Sequence, residues 1–263
     1  MKQRIITAAI AAAVFLPIVI YGEFPFVIFI YILASVGLFE AMRMKQMSMA
    51  SVPGVLSLLL LWFLMVPSEM VSQEVLFLSK MEFLLLILLM LLSYTVLSKN
   101  KFTFDDVGFL LISTLYVGLG FYYFIEIREL ALAYVFFALL VIWTTDSGAY
   151  FIGKSMGKTK LWPDISPNKT VEGSLGGVIC AVIVAIAFQF IVDFEHSLLV
   201  TIFIACLLSI FGQIGDLVES ALKRHYKIKD SGSILPGHGG ILDRFDSLLF
   251  VLPLLHFIHI FLF

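Results

Sequence analysis

Charged side chains are scarce in this 263-residue chain, at 14% of positions, where soluble globular domains carry about a quarter. With 61% apolar residues and a mean hydropathy of +1.05, that scarcity excludes an ordinary soluble domain and points to a polytopic membrane protein. Basic excess is lacking too: 17 Lys and Arg stand against 19 Asp and Glu, and no nucleic-acid partner is expected. The two cysteines, Cys180 and Cys206, fall within apolar runs and lack metal-ligand spacing, which favours packing over redox chemistry. No internal repeat or low-complexity linker is present, and most connections are too short to hold a soluble domain. The apolar run after Met1 has the basic flank of a signal peptide. However, Tyr21-Gly-Glu-Phe follows it in place of a small-x-small cleavage site, so it reads as a retained first span.

What the sequence does have is long apolar runs. Against the roughly 20 apolar residues needed to cross a bilayer core, candidate spans lie at 5–21, 24–42, 52–66, 81–98, 107–125, 130–151, 172–192, 197–224 and 241–263. The expected fold is therefore all-α, a polytopic bundle of about nine transmembrane helices. Lys and Arg are retained on the cytoplasmic side during insertion. With the N-terminus placed inside, all of the 17 Lys and Arg except Lys80 and Arg128 fall on the cytoplasmic side. The topology expected is thus N-terminus in, C-terminus out. Residues 1–130 carry no clear chemistry, whereas 131–263 contain both motif-bearing cytoplasmic loops.

The first loop runs from Thr144 to Gly177. Thr144-Thr145-Asp146-Ser147 interrupts an apolar helix, and a carboxylate at that depth favours a polar cavity; a helix-terminal cluster reaching the headgroups is the alternative. Gly153, Lys154, Gly157, Lys158 and Lys160 have the composition of a phosphate loop without the GxxxxGK[ST] spacing. Ser166-Pro-Asn-Lys-Thr then leads into a helix with Gly173, Gly176, Gly177 and Ala181, small residues that allow close helix approach.

The second loop, Lys223 to Ser247, holds five Lys and Arg, three Asp and a His-Gly-Gly. In the helix before it, Asp216, Glu219 and Lys223 share a face by their spacing, a face that should point away from lipid. Asp243 and Asp246, with Arg244 between them, open the final helix. If the two helices pack as neighbours, Asp216, Asp243 and Asp246 converge as an oxygen-rich set suited to Mg²⁺. Capping of the last helix, or pairing with Arg244, is the competing role for Asp243 and Asp246. His256 and His259 sit one helical turn apart near the other end of that helix, where packing is favoured over metal ligation.

Ser220-Ala-Leu-Lys-Arg, Lys229-Asp230-Ser-Gly and Leu235-Pro-Gly-His-Gly-Gly-Ile-Leu-Asp-Arg-Phe-Asp246 together resemble the signature of the phosphatidate cytidylyltransferase, or CDP-diacylglycerol synthase, family. Asp146-Ser-Gly-Ala-Tyr, Ser166-Pro-Asn-Lys-Thr and Gly215-Asp216 extend the resemblance over residues 140–250. Upstream, the Gly-Leu-Phe-Glu40 region is similar. Asn168 departs from the pattern, in which Lys is common, and is assigned no phosphate contact. The resemblance implies an all-helical, homodimeric membrane enzyme that converts CTP and phosphatidic acid into CDP-diacylglycerol and pyrophosphate with Mg²⁺, leaving room for a second cation. The catalytic group expected is Asp216, Asp243, Asp246, Lys223 and Arg244, the first three as metal ligands. Substrate contacts are expected from Asp146, Ser166, Lys169, Thr170, Arg224, Lys229, His238, Gly239 and Gly240. The short loops resemble bacterial members, with a location in the inner membrane and the site facing the cytoplasm.

The chemistry asks for the same residues. A lipid phosphate of about −1.5 to −2 charge attacking a polyanion meets repulsion of about 4 kcal/mol per unit pair at 4 Å and an effective dielectric near 20. Clustered cations are therefore needed, but no general base, since the attacking phosphate is already ionised. A cation transporter would spread its carboxylates over several depths, whereas a transferase for another lipid phosphate would differ only in its tail contacts.

Overall fold

The computed structural model describes residues 2–67, 78–192 and 197–262. Among them nine helices fall on the nine expected spans: α1 (Lys2–Tyr21), α2 (Glu23–Met44), α3 (Val52–Leu64), α4 (Lys80–Leu97), α5 (Phe104–Leu130), α6 (Leu132–Met156), α7 (Val171–Ile191), α8 (Leu198–His225) and α9 (Leu242–Leu262). Phe263, the end of the last expected span, lies outside the described residues. Seven of the helices are long and apolar enough to cross a membrane. The apolar part of α1, Ile6–Tyr21, and α3 are shorter; at 1.5 Å per residue the 13 residues of α3 reach only about 20 Å of a roughly 30 Å core.

Local sequence sets where several helices begin. Ser79 caps α4 in a reciprocal box with Glu82, and Thr103 and Asp106 exchange the equivalent bonds at the start of α5. Thr170 and Ser197 cap α7 and α8 through their hydroxyls. The apolar runs then continue as unbroken helix, because in lipid each backbone group must find its partner within its own helix.

The chain forms two compact units. The first comprises Met1–Glu126 together with Asp230–Leu242. Its core includes Phe26, Ile30, Leu61, Phe121 and Phe124, all 2% exposed or less, with Phe26 and Phe124 edge to face at 5.4 Å. The second comprises Ile127–Lys229 and Asp243–Phe263. Here α6 and α7 pack tightly: Cβ atoms placed on Gly173 and Gly177 would lie 2.7 Å from the Ala149 and Thr145 carbonyl oxygens of α6. This is the close approach expected of the small residues. Between these helices a two-stranded antiparallel hairpin, β1 (Lys160–Trp162) and β2 (Ser166–Thr170), is the main departure from an all-helical chain. In the same unit His259 packs edge to face on Tyr134 at 5.3 Å, a packing role.

Candidate active site

The second unit gathers its polar chemistry where α6, the hairpin, α7 and α8 meet. Thr145, in the middle of α6, donates to Ser209 of α8 at 2.8 Å, which satisfies two buried hydroxyls. Because α6 runs on to Met156, the Thr144–Ser147 run is not a frayed helix end. Asp146 instead lines a cavity of about 470 Å³, together with Tyr150, Lys154, Lys169, Gln213 and Asp216. That size suits a small-molecule ligand, and its charged wall holds two carboxylates and two ammonium groups.

Lys169, on β2, reaches across this cavity to form an ion pair with Asp216 of α8, while Ser220, one turn further along α8, donates to the other Asp216 oxygen at 3.3 Å. Asp146 and Asp216 share the cavity wall, and Asp246 stands on α9, where Gly215 brings that helix against α8, two residues after Arg244. This acidic trio draws on three helices, α6, α8 and α9. Gly215 permits the approach of two of them, since a Cβ there would lie 2.7 Å from the Asp246 carbonyl oxygen and 3.1 Å from the Phe250 ring. Asp246 also accepts from the Ser247 amide at 2.7 Å.

A second ionic cluster lies further along α8. Lys223 donates to Asp243 at 2.7 Å and pairs with Glu219 on its own helix. The Glu219 side chain is 0% exposed and that of Asp243 5%. Glu219 and Lys223 do share a face turned from lipid, as their spacing requires. Asp243 is thus engaged by Lys223 as Asp216 is by Lys169, and Asp146 stands as a further carboxylate beside Asp216 on the cavity wall. Among the described residues no group of three His, Cys, Asp or Glu side chains forms a ready-made metal cage.

The remaining expected residues take varied places. Thr170 is buried and caps α7 by accepting from the Gly173 amide at 3.1 Å, and it also borders the cavity. Ser166 opens β2 opposite Trp162. The Arg224 guanidinium donates to the Ile165 carbonyl at 3.2 Å, holding the hairpin turn to α8, and Lys229 is exposed. In the Gly153–Lys160 run Gly153 and Lys154 are still helical, and the Lys158 and Thr159 amides donate to the Glu172 carboxylate at 3.0 and 3.1 Å.

In the first unit, Leu235–His238 forms a tight turn in which the His238 amide donates to the Leu235 carbonyl at 2.8 Å. Pro236 and Gly237, the latter at φ 77°, occupy the positions where a type II turn favours proline and requires positive φ. Gly239, at φ 83°, returns the chain so that its carbonyl accepts from the Leu235 amide at 3.0 Å. Gly240 is buried against Glu40 and Ser231.

Sequence reasoning passed over Tyr150, Lys154 and Gln213 as cavity residues, and Glu219 as a pairing partner rather than a face marker. For Glu219 a signal existed in its i, i+4 spacing to Lys223. Tyr150 and Lys154 stood within runs that the sequence marks, but nothing in the sequence says which turns of α6 and α8 face each other, and Gln213 carried no signal.

The comparisons with known proteins run the length of the chain. The model of the cytidylyltransferase family matches residues 2–262. Over 261 residues the chain is 57% identical to the phosphatidate cytidylyltransferase of Bacillus subtilis (strain 168), covering 98% of this chain and 97% of the relative. It is 51% identical over 259 residues to that of Staphylococcus haemolyticus (strain JCSC1435), covering 97% and 98%. The same coverage holds at 50% identity over 256 residues for that of Staphylococcus aureus (strain COL). With half or more of its residues shared with these relatives, and matched from end to end, the chain belongs to the cytidylyltransferase family.

Proposed function

We propose that this chain is a phosphatidate cytidylyltransferase, transferring CMP from CTP to the phosphate of phosphatidic acid to give CDP-diacylglycerol and pyrophosphate. The relatives that bear that name match nearly all of it, and their match disfavours both a cation transporter and a transferase for another lipid phosphate. The single structural observation that supports the reading is the cavity that places Lys154 and Lys169 beside Asp146 and Asp216, a mixture of charges suited to a polyphosphate and its counter-cation.

The reaction brings two anions together, and the chain's own cations meet that demand. Lys169 is the best placed: an incoming phosphate competes for its ammonium, and Asp216 is released as Lys169 turns to the new partner. Lys154 adds a second positive charge, and Arg244 balances Asp146. Because the lipid phosphate is already ionised, no side chain need remove a proton. Its attack forms a P–O bond at the α-phosphorus as the bond to pyrophosphate breaks, and the departing charge is held by ammonium and guanidinium donors.

The acidic trio fits Mg²⁺ in its chemistry. Asp146, Asp216 and Asp246 supply the hard carboxylate oxygens that Mg²⁺ prefers, and a bound cation would offset their like charge. Mg²⁺ characteristically takes one or two carboxylates and completes its shell with water and substrate phosphates, so no three-residue cage is required. When bound, it supplies charge neutralisation and alignment of the phosphate oxygens.

The asymmetry of Lys and Arg supports a site on the cytoplasmic face of a bacterial inner membrane, where soluble CTP and the lipid headgroup meet. Purified protein given labelled CTP and phosphatidic acid, with and without Mg²⁺, should yield lipid-linked CMP only when all three are present. Absence of a lipid-linked product, with the protein folded, would overturn the assignment.

A further inference from the structure

We propose that Glu40 is a positioning residue for the Ser231–Leu242 segment, rather than an ordinary polar residue of α2. This inference rests on the cytidylyltransferase reading for its catalytic consequence only. Glu40 lies four residues from the end of α2 and is 1% exposed. One of its carboxylate oxygens accepts from the Ile241 amide at 3.0 Å; the other accepts from the Leu242 amide at 2.9 Å and from the Ser231 hydroxyl at 3.2 Å. A carboxylate has only acceptors, and these three donors come from both ends of one segment roughly two hundred residues away in the chain.

Two glycines make room for this arrangement. A methyl group on either Gly232 or Gly240 would overlap the Glu40 carboxylate, so the backbone closes directly over it. Gly232 is not in the positive-φ region; what it contributes is the absence of a side chain. Ser231, Gly232, Gly240, Ile241 and Leu242 thus wrap one buried carboxylate, and the Leu235–Gly239 turn is the part of the loop projecting beyond it.

The consequence runs along the backbone. Leu242 is the first residue of α9, and Asp243 and Asp246 are its second and fifth. The first amides of a helix have no partner within it, and a carboxylate there also complements the helix dipole. Glu40 therefore holds the residue at which α9 starts. It also pins both ends of the loop that carries His238 and Gly239. It touches no substrate in this account; it acts through the segment it holds.

Glu40→Gln tests this with the full chain in detergent. The amide retains the volume of the carboxylate but replaces one acceptor oxygen with a donor, which faces backbone N–H groups. Hydrogen exchange should accelerate by about tenfold or more across residues 231–242, with protection in the rest of α2 and in α5 kept, while kcat falls about ten- to a hundredfold with helical content unchanged. Gly232→Ala, which crowds the carboxylate without altering it, should give the same local signature and serves if Glu40→Gln fails to accumulate. Unchanged exchange in 231–242 would overturn the proposal, as would exchange accelerated equally throughout α2 and α5, or a normal kcat despite the freed loop. If wild-type protein itself makes no lipid-linked CMP, the functional reading fails, yet the exchange data still decide whether Glu40 holds the segment.

Discussion

Lys223 donates to Asp243 at 2.7 Å, binding the last turns of α8 to the first turn of α9 while its ammonium also pairs with the fully buried Glu219. One cation thus serves two carboxylates in a site nearly closed to solvent. Removing it strands both.

Lys223→Met should therefore destabilise the protein by about 3–5 kcal/mol, the penalty for leaving a buried charge without its partner. The midpoint of thermal unfolding in detergent should drop accordingly. Lys223→Met combined with Glu219→Gln and Asp243→Asn leaves no charge stranded and should recover most of the midpoint without recovering turnover. A triple variant no more stable than the single one would show that charge burial is not the cause.

Asp146, Asp216 and Asp246 form the acidic trio, and Asn at each position retains shape while removing charge. Asp216→Asn and Asp146→Asn should each reduce kcat/KM by about a hundredfold or more, with Asp246→Asn behaving similarly. Asp164→Asn, on the exposed hairpin turn, should behave as wild type. Turnover near the wild-type rate in both Asp216→Asn and Asp146→Asn, across a Mg²⁺ titration, would sink the metal role.

Gly215→Ala probes geometry alone. The added methyl meets the Asp246 carbonyl and the Phe250 side chain, forcing α8 and α9 apart at an overpacking cost of about 1–3 kcal/mol. Turnover should fall more than stability, because the shift separates Asp216 from Asp246. Full activity in this variant would mean that the spacing of these two carboxylates is immaterial.

Orientation is testable by labelling. Ser233 is exposed whereas Ser231 is buried, so Ser233→Cys, with Cys180 and Cys206 replaced by Ala, should react with a membrane-impermeant thiol reagent only in inverted or permeabilised membranes. Reaction in intact right-side-out cells would reverse the topology and remove the site from the cytoplasm.

By itself the sequence determined the helical class and the places where helices begin. Both depend on neighbours: apolar runs long enough to leave water, and capping residues such as Ser79 and Thr170 within three positions of the amides they satisfy. It also placed Glu219 and Lys223 on one face, because helical spacing is a local rule, and it marked Asp146, Lys169, Asp216, Asp243 and Asp246 as residues out of keeping with a lipid-facing surface. The tertiary structure alone decided their partners. Lys169 meets Asp216 from 47 residues away, Lys223 reaches Asp243 across 20 residues, and Asp146 joins Asp216 on the wall of one cavity. The hairpin that delivers Lys169 has strands too short to show a clear alternation. Glu40 is the extreme case, joined to donors 191 to 202 residues distant. Periodicity reports which side of a helix avoids lipid, but not which carboxylate finds which donor there; that choice is made by packing, where a buried charge must be satisfied by whatever the fold brings within reach.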